Sequence, residues 1–98
     1  MTGKLSLLQK FEADFSAENP SLNNVVLSFD NSLLATGGDD MIIRIFGISK
    51  DFKTQEKKLE IKIAEGAIQS VDISRDNRLL VAGSKDGTAY ITDLSNNG

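Results

Sequence analysis

The amino-acid sequence predicts an all-β fold, with about eight strands in two antiparallel sheets. Two observations support this fold class. The chain contains an internal repeat, and short runs of β-branched and aliphatic residues alternate with turn-forming Gly, Asp and Asn. A length of 98 residues fits one small domain or part of a larger one.

The repeat appears when the sequence is shifted by 46 positions, which places Leu22–Ile48 over Ile68–Leu94. Nine of the 27 aligned pairs are identical, whereas composition alone would give roughly two. The identical pairs are Val25/Val71, Ser28/Ser74, Asp30/Asp76, Asn31/Asn77, Leu33/Leu79, Leu34/Leu80, Gly37/Gly83, Asp40/Asp86 and Ile45/Ile91. The same structural unit is therefore expected twice.

Each unit is predicted to consist of short antiparallel strands. In the first unit they are Val25–Phe29, Leu33–Thr36, Met41–Ile48 and, after the polar loop Ser49–Lys58, an alternating segment with Leu59, Ile61 and Ile63 facing inward. In the second unit they are Ile68–Ile73, Leu79–Ala82 and Thr88–Leu94.

The N-terminal segment Lys4–Phe15 fits either a helix or a strand. By analogy with Leu59–Ile63, which also precedes a first strand, we interpret it as the outer strand of a preceding unit. Residues 1–21 then hold this strand and a loop, 22–63 a complete unit, and 64–98 three strands of the next.

Six residues are predicted to have structural roles in turns: Asp40, Asp86, Gly37, Gly38, Gly83 and Gly87. A carboxylate in a tight turn accepts backbone N–H groups of that turn, and glycine supplies the conformations that other residues avoid. We therefore expect Asp86→Ala to destabilise the fold, and Asp51→Ala in the polar loop to be nearly neutral.

The amino-acid composition excludes most kinds of catalytic and metal-binding chemistry. The chain has no Cys and no His, which removes disulfides, thiol nucleophiles, the commonest metal ligand and the commonest general base. A net charge of −3 argues against nucleic-acid binding, and no apolar run approaches membrane-spanning length. No catalytic, cofactor-binding or metal-binding residue is predicted, and an enzyme is not expected.

The repeat resembles the WD-repeat β-propeller family, whose units contain four strands and an Asp-containing turn before the third. The resemblance rests on Leu33–Asp40 with Ile43–Phe46, and on Leu79–Thr88. This chain has Phe46-Gly47 and Thr92-Asp93 where the family usually has Trp-Asp, and Ala64 where many members have His. The family's His–Ser/Thr–Asp–Trp network is therefore not expected. The resemblance implies two blades of a partial propeller.

A narrower resemblance links Ala13–Ser16, Asp30–Gly38 and Lys58–Lys62 to the prolactin regulatory element-binding protein family. It implies a protein-interaction module of a guanine-nucleotide exchange factor. The implied partner is a Sar-type small GTPase of COPII coats, at the cytosolic face of the endoplasmic reticulum in transport to the Golgi. Exchange would be stimulated non-covalently, and no partner-binding residue is assigned.

The alternative is a WD-repeat scaffold without exchange activity. Under either interpretation, self-association or further blades are expected to cover the open blade faces.

Overall fold

The computed structural model describes residues 7–9, 21–62 and 64–95. These residues form seven strands: β1 (Leu22–Leu27), β2 (Leu33–Gly38), β3 (Ile43–Ile48), β4 (Gln55–Ile61), β5 (Ile68–Ile73), β6 (Leu79–Ser84) and β7 (Ala89–Asp93). Strands β1–β4 form the first sheet and β5–β7 the second, each antiparallel and in sequence order. The predicted all-β fold with two antiparallel sheets is confirmed.

Strand boundaries differ from the prediction at several places, and β1, for example, begins at Leu22 and ends at Leu27 rather than running over Val25–Phe29. Strand β4 begins at Gln55, inside the segment predicted as a polar loop, because Gln55 pairs with Ile48 directly after a short turn. Met41 precedes β3 with a positive φ of 68° instead of starting the strand. Most of the predicted strand Lys4–Phe15, and also Ile63, lies outside the described residues; residues 7–9 have no regular secondary structure.

The two sheets pack against each other, with β5 contacting β1 and β2. Because side chains alternate across a strand, every second residue of the central strands enters this interface. The buried cluster consists of Ala35, Ile43, Ile45, Ile68, Val71, Ile73, Leu80 and Ala82. Leu59 and Ile61 pack on it, as their predicted inward orientation required.

Two of the glycines predicted in turns lie inside strands, Gly37 in β2 and Gly83 in β6, which corrects that expectation. Gly38 is the last residue of β2, and its carbonyl accepts from Met41 N at 3.2 Å in the turn that follows. A Cβ on Gly37 would overlap the Ile68 side chain, whose own Cβ would be only 2.9 Å away. The absence of a side chain at Gly37 therefore lets the sheets approach. Gly87 does lie in a turn, with a φ of +87°.

Asparagine side chains add polar links between the sheets. Asn23 Nδ2 donates to the Ile68 carbonyl at 2.9 Å, and Val71 N donates to Asn24 Oδ1 at 3.3 Å. Asn23 lies at the register shift in β1, where the ladder with β2 is interrupted. The irregularity lets neighbouring asparagines both reach β5.

Candidate protein-interaction surface

The turns of the molecule lie at two opposite edges. In an antiparallel sheet of sequential strands, successive turns alternate between the two ends. The turns after β1 and β3 therefore share one edge of the first sheet. The turn after β5 joins them, because Asn77 Nδ2 donates to Asp30 Oδ2 at 2.9 Å. We call these three turns, residues 28–33, 49–54 and 74–79, the three-turn edge.

The three turns have the same hydrogen-bond pattern. In each, the hydroxyl of the first serine accepts from the backbone N–H five residues later, at 2.9 Å for Ser28, 3.0 Å for Ser49 and 2.9 Å for Ser74. In each, the aspartate two residues after that serine accepts from the backbone N–H two residues further on, at 3.0 Å for Asp30, Asp51 and Asp76. The side chains thus satisfy the turn N–H groups.

The residue after each aspartate adopts a positive φ, 66° at Asn31, 63° at Phe52 and 62° at Asn77. Asparagine tolerates this conformation better than most residues do, whereas phenylalanine does not. Asp51 lies in the predicted polar loop, where it makes the same turn hydrogen bond as Asp30 and Asp76, a role that the sequence analysis did not assign to it. The missed signal was the recurring Ser-x-Asp spacing, since Ser49 and Asp51 match Ser28 and Asp30.

These aspartates are held in the charged form. The pKa of Asp30 is far below its usual value because of hydrogen bonds from Ser32, Asn77 and Ser28. Hydrogen bonds from the Ser49 and Ser74 hydroxyls are the largest causes that lower the pKa of Asp51 and Asp76. Carboxylates stabilised in this way act as structural acceptors and are poorly suited to supply a proton near neutral pH.

Open clefts lie along the three-turn edge. One has a volume of about 590 Å³ and is lined by Ser32, Leu33, Gly47, Ile48, Ser49, Thr54, Gln55, Glu56 and Asn77. A second, of about 360 Å³, includes Lys50 and Phe52 in its lining. Phe29, on the same edge, is 67% exposed and lies under the Arg75 guanidinium, 4.1 Å from its ring centre. Mixed polar and aromatic groups of this kind suit contact with another protein.

At the opposite edge, Asp40 and Asp86 organise the turns after β2 and β6. Asp40 Oδ1 accepts from Ile42 N at 3.2 Å, and Asp86 Oδ1 accepts from Thr88 N at 2.8 Å. Asp86 Oδ2 also accepts from the Tyr90 hydroxyl at 2.7 Å and from Glu65 N at 3.1 Å. Chiefly because of the Tyr90 hydrogen bond, the pKa of Asp86 falls to about 2, and that of Tyr90 rises.

Arg44 occupies in the first sheet the position that Tyr90 has in the second. Its Nη2 atom lies 2.9 Å from Asp40 Oδ2, an ion pair without the alignment of a hydrogen bond. Its Nε donates to Glu60 Oε2 at 3.2 Å. The pKa of Glu60 is lowered first by a hydrogen bond from Lys57, and then by nearby positive charges. The 2%-exposed Arg44 is thus compensated by two carboxylates.

Comparison with known families agrees with this geometry. The family profile "WD domain, G-beta repeat" matches residues 6–47 and 56–93. The chain belongs to the WD40 family. Its two sheets are blades of a partial β-propeller, as the sequence predicted.

Two relatives of this chain have the name "Guanine nucleotide-exchange factor SEC12", one from Rattus norvegicus and one from Mus musculus. Each is 36% identical over 80 residues, which cover 82% of this chain. The chain spans 18% of the length of these relatives.

Within this WD40 chain the turn aspartates have partners that sequence reasoning did not identify. The family's His–Ser/Thr–Asp–Trp network was not expected, because His and Trp are absent. Asp86 instead accepts from a main-chain N–H of the inter-blade connection and from a tyrosine in the third strand of its blade. Asp40 has an arginine at the equivalent position. The turn, the strand and, in the second blade, the connection are therefore still joined through the aspartate.

The described part of the WD40 chain contains no group of three or more acidic side chains placed to hold a metal ion. Across residues 7–9, 21–62 and 64–95, no helix has the length and apolar character needed to cross a membrane.

Proposed function

We propose that this chain is a protein-interaction module of a guanine-nucleotide exchange factor for a Sar-type small GTPase. The observation that carries the proposal is the 36% identity to SEC12 exchange factors over 82% of the chain. The module would act in COPII vesicle formation, at the cytosolic face of the endoplasmic reticulum membrane.

The mechanism proposed is non-covalent. An exchange factor accelerates GDP release by binding the nucleotide-free GTPase more tightly than the GDP-bound form, which shifts the equilibrium between them. Such a task requires a rigid surface and no reacting group. Hairpins closed by serine and aspartate side chains, on sheets with a shared core, supply that rigidity.

We assign the GTPase contact to the three-turn edge. It combines a cleft of about 590 Å³, the exposed ring of Phe29 and the exposed Lys50 beside Phe52. Aromatic rings beside a cleft are typical of protein-contact surfaces, and a charge at the rim, such as that of Lys50, acts mainly on the rate and specificity of association.

The test measures two quantities with a purified Sar-type GTPase: release of fluorescent GDP, and binding of the nucleotide-free GTPase to this chain. We expect binding, and acceleration of release by the exchange factor that contains the chain. Lys50→Glu should weaken binding about tenfold. The matched control is Lys85→Glu, the same charge reversal on an exposed residue at the opposite edge, and it should bind like the wild type.

Absence of both binding and accelerated release would contradict the proposed function. Binding without acceleration would favour the alternative, a WD40 scaffold in a complex with the GTPase. Equal effects of Lys50→Glu and Lys85→Glu on binding would contradict the assignment of the contact to the three-turn edge. They would not contradict the proposal that the partner is a GTPase.

A further inference from the structure

Phe52 has a backbone conformation that its residue type rarely adopts. It follows Asp51 in the turn between β3 and β4 and has a φ of 63°. The equivalent positions of the other two turns on the three-turn edge are occupied by Asn31 and Asn77, with φ values of 66° and 62°. Asparagine enters this left-handed region far more readily than a bulky aromatic residue does. The shared turn geometry is therefore least favourable where the residue is phenylalanine.

The hydrogen bonds of this turn hold Phe52 in the strained conformation. Phe52 N donates to the Ser49 carbonyl at 2.9 Å, and Ser49 N donates to the Thr54 carbonyl at 3.1 Å. Lys53 N donates to Asp51 Oδ1 and Thr54 N to Ser49 Oγ, both at 3.0 Å. A strained residue persists when its surroundings over-determine it, and such residues are concentrated at functional sites.

Packing in the hydrophobic core does not account for the ring of Phe52. Among the described residues, it belongs neither to the buried cluster between the sheets nor to the partly buried apolar side chains that pack on that cluster. The half-buried Phe52 instead lines the cleft of about 360 Å³, together with Asn31 and Ile48. A ring that is already held in place loses little conformational freedom when a partner binds it.

The groups beside Phe52 indicate the chemistry of the surface that it fits. Lys50 and Lys53 are exposed on either side of it in the sequence. The carboxylate between them, Asp51, is occupied within the turn, where Oδ1 accepts from Ser49 Oγ at 2.6 Å and from Lys53 N at 3.0 Å. An aromatic ring flanked by two cations complements an apolar pocket with carboxylates at its rim.

We propose that Phe52 is the residue that anchors the partner, with its ring inserted into an apolar, acid-rimmed pocket of the GTPase. This inference rests on the proposed function and specifies which side chain determines the affinity. The turn is then less stable than its two counterparts because the ring serves binding. Met41 also has a positive φ, 68°, and is 43% exposed, but it lies at the opposite edge, away from the cleft and the two lysines.

The test compares Phe52→Asn, Phe52→Tyr and Met41→Asn with the wild type. It measures binding of the nucleotide-free Sar-type GTPase and the midpoint of urea unfolding. Phe52→Asn should weaken binding at least about tenfold, because the anchor is lost, yet raise the urea midpoint, because the turn is relaxed. Phe52→Tyr keeps the ring and should bind within about threefold of the wild type. Met41→Asn, the matched control, should also raise the midpoint but bind like the wild type.

Unchanged binding by Phe52→Asn, or an equal loss of binding in Met41→Asn, would overturn the inference while the proposed function stands. A lower urea midpoint in Phe52→Asn would overturn it as well, because the ring would then act within the fold. Absence of binding by the wild type contradicts the proposed function itself, and the anchor with it.

Discussion

Asp86 shows how a single side chain joins three segments of this fold. Its carboxylate accepts from Thr88 in its own turn, from Tyr90 in the following strand and from Glu65 in the connection between blades. Hydrogen bonds to the charged carboxylate favour ionisation, and the same contact with Tyr90 favours the protonated phenol. The two groups therefore shift each other's pKa in opposite directions.

Tyr90 makes this contact directly measurable, because it is the only tyrosine and the chain has no tryptophan. We expect ultraviolet titration of the phenol to give a pKa above the ordinary 10.0. Asp86→Asn removes the negative charge and should return the Tyr90 pKa towards that value. Glu65→Ala, which removes an exposed charge but leaves the Glu65 N–H in place, is the control. Identical titration curves for the wild type and Asp86→Asn would contradict the role of the contact.

Sequence reasoning identified Asp86 as a turn residue but missed both Tyr90 and Glu65. The turn role follows from local chemistry, since Asp-Gly is a strong hairpin signal. The other partners depend on how β7 and the inter-blade connection fold back, which no local pattern encodes. Gly37 was misread for a related reason. Gly-Gly before Asp-Asp is typical of a turn, whereas its function here is set by Ile68, 31 positions away in the other sheet.

At the level of the strands, the two sheets could be predicted from the sequence, whereas the exact start of a strand could not. The repeat and the alternation predicted both sheets, because strand period and turn residues are local properties. The start of β4 was missed because Gln55–Lys58 is polar, and only pairing with β3 makes it a strand.

Gly37 and its repeat equivalent Gly83 provide a matched test of the interface. In Gly37→Ala the new methyl group meets Ile68, fully buried between the sheets, and we expect a loss of about 1–3 kcal/mol. In Gly83→Ala it meets only the Ser70 hydroxyl, 2.9 Å away, which can rotate aside. Gly83→Ala should therefore lose less than about 0.5 kcal/mol.

Urea denaturation followed by circular dichroism measures both free energies of unfolding. Equal losses in the two variants would contradict the account of Gly37 as the residue that permits close approach of the sheets.

For the whole molecule, the shifted carboxylates determine how stability depends on pH. The pKa values of Asp30, Asp51, Asp76, Asp86, Asp93 and Glu60 are lowered in the folded chain. A group with a lower pKa in the folded than in the unfolded state stabilises the fold at pH values above its unfolded pKa. That contribution is lost as the pH falls through the folded pKa.

We therefore expect the midpoint of urea unfolding to be constant near neutral pH and to fall between about pH 4.5 and pH 2, the range set by Glu60 and Asp86. In Tyr90→Phe the largest cause of the Asp86 shift is removed, so less stability should be lost over this range. A midpoint at pH 2 equal to that at neutral pH would contradict the expectation.

The fixed offset of 46 residues between equivalent positions also has a consequence for the order of folding. Each hairpin joins neighbouring strands through a turn of a few residues, whereas the Asn77–Asp30 bond between the blades closes a loop of 47 residues. Local contacts form with a smaller loss of chain entropy than distant ones. Each sheet should therefore assemble first as a separate unit, and docking of the two sheets should be the slow step. Until docking is complete, Ile68 and Val71 remain accessible, and a neighbouring nascent chain could bind them in place of the correct sheet.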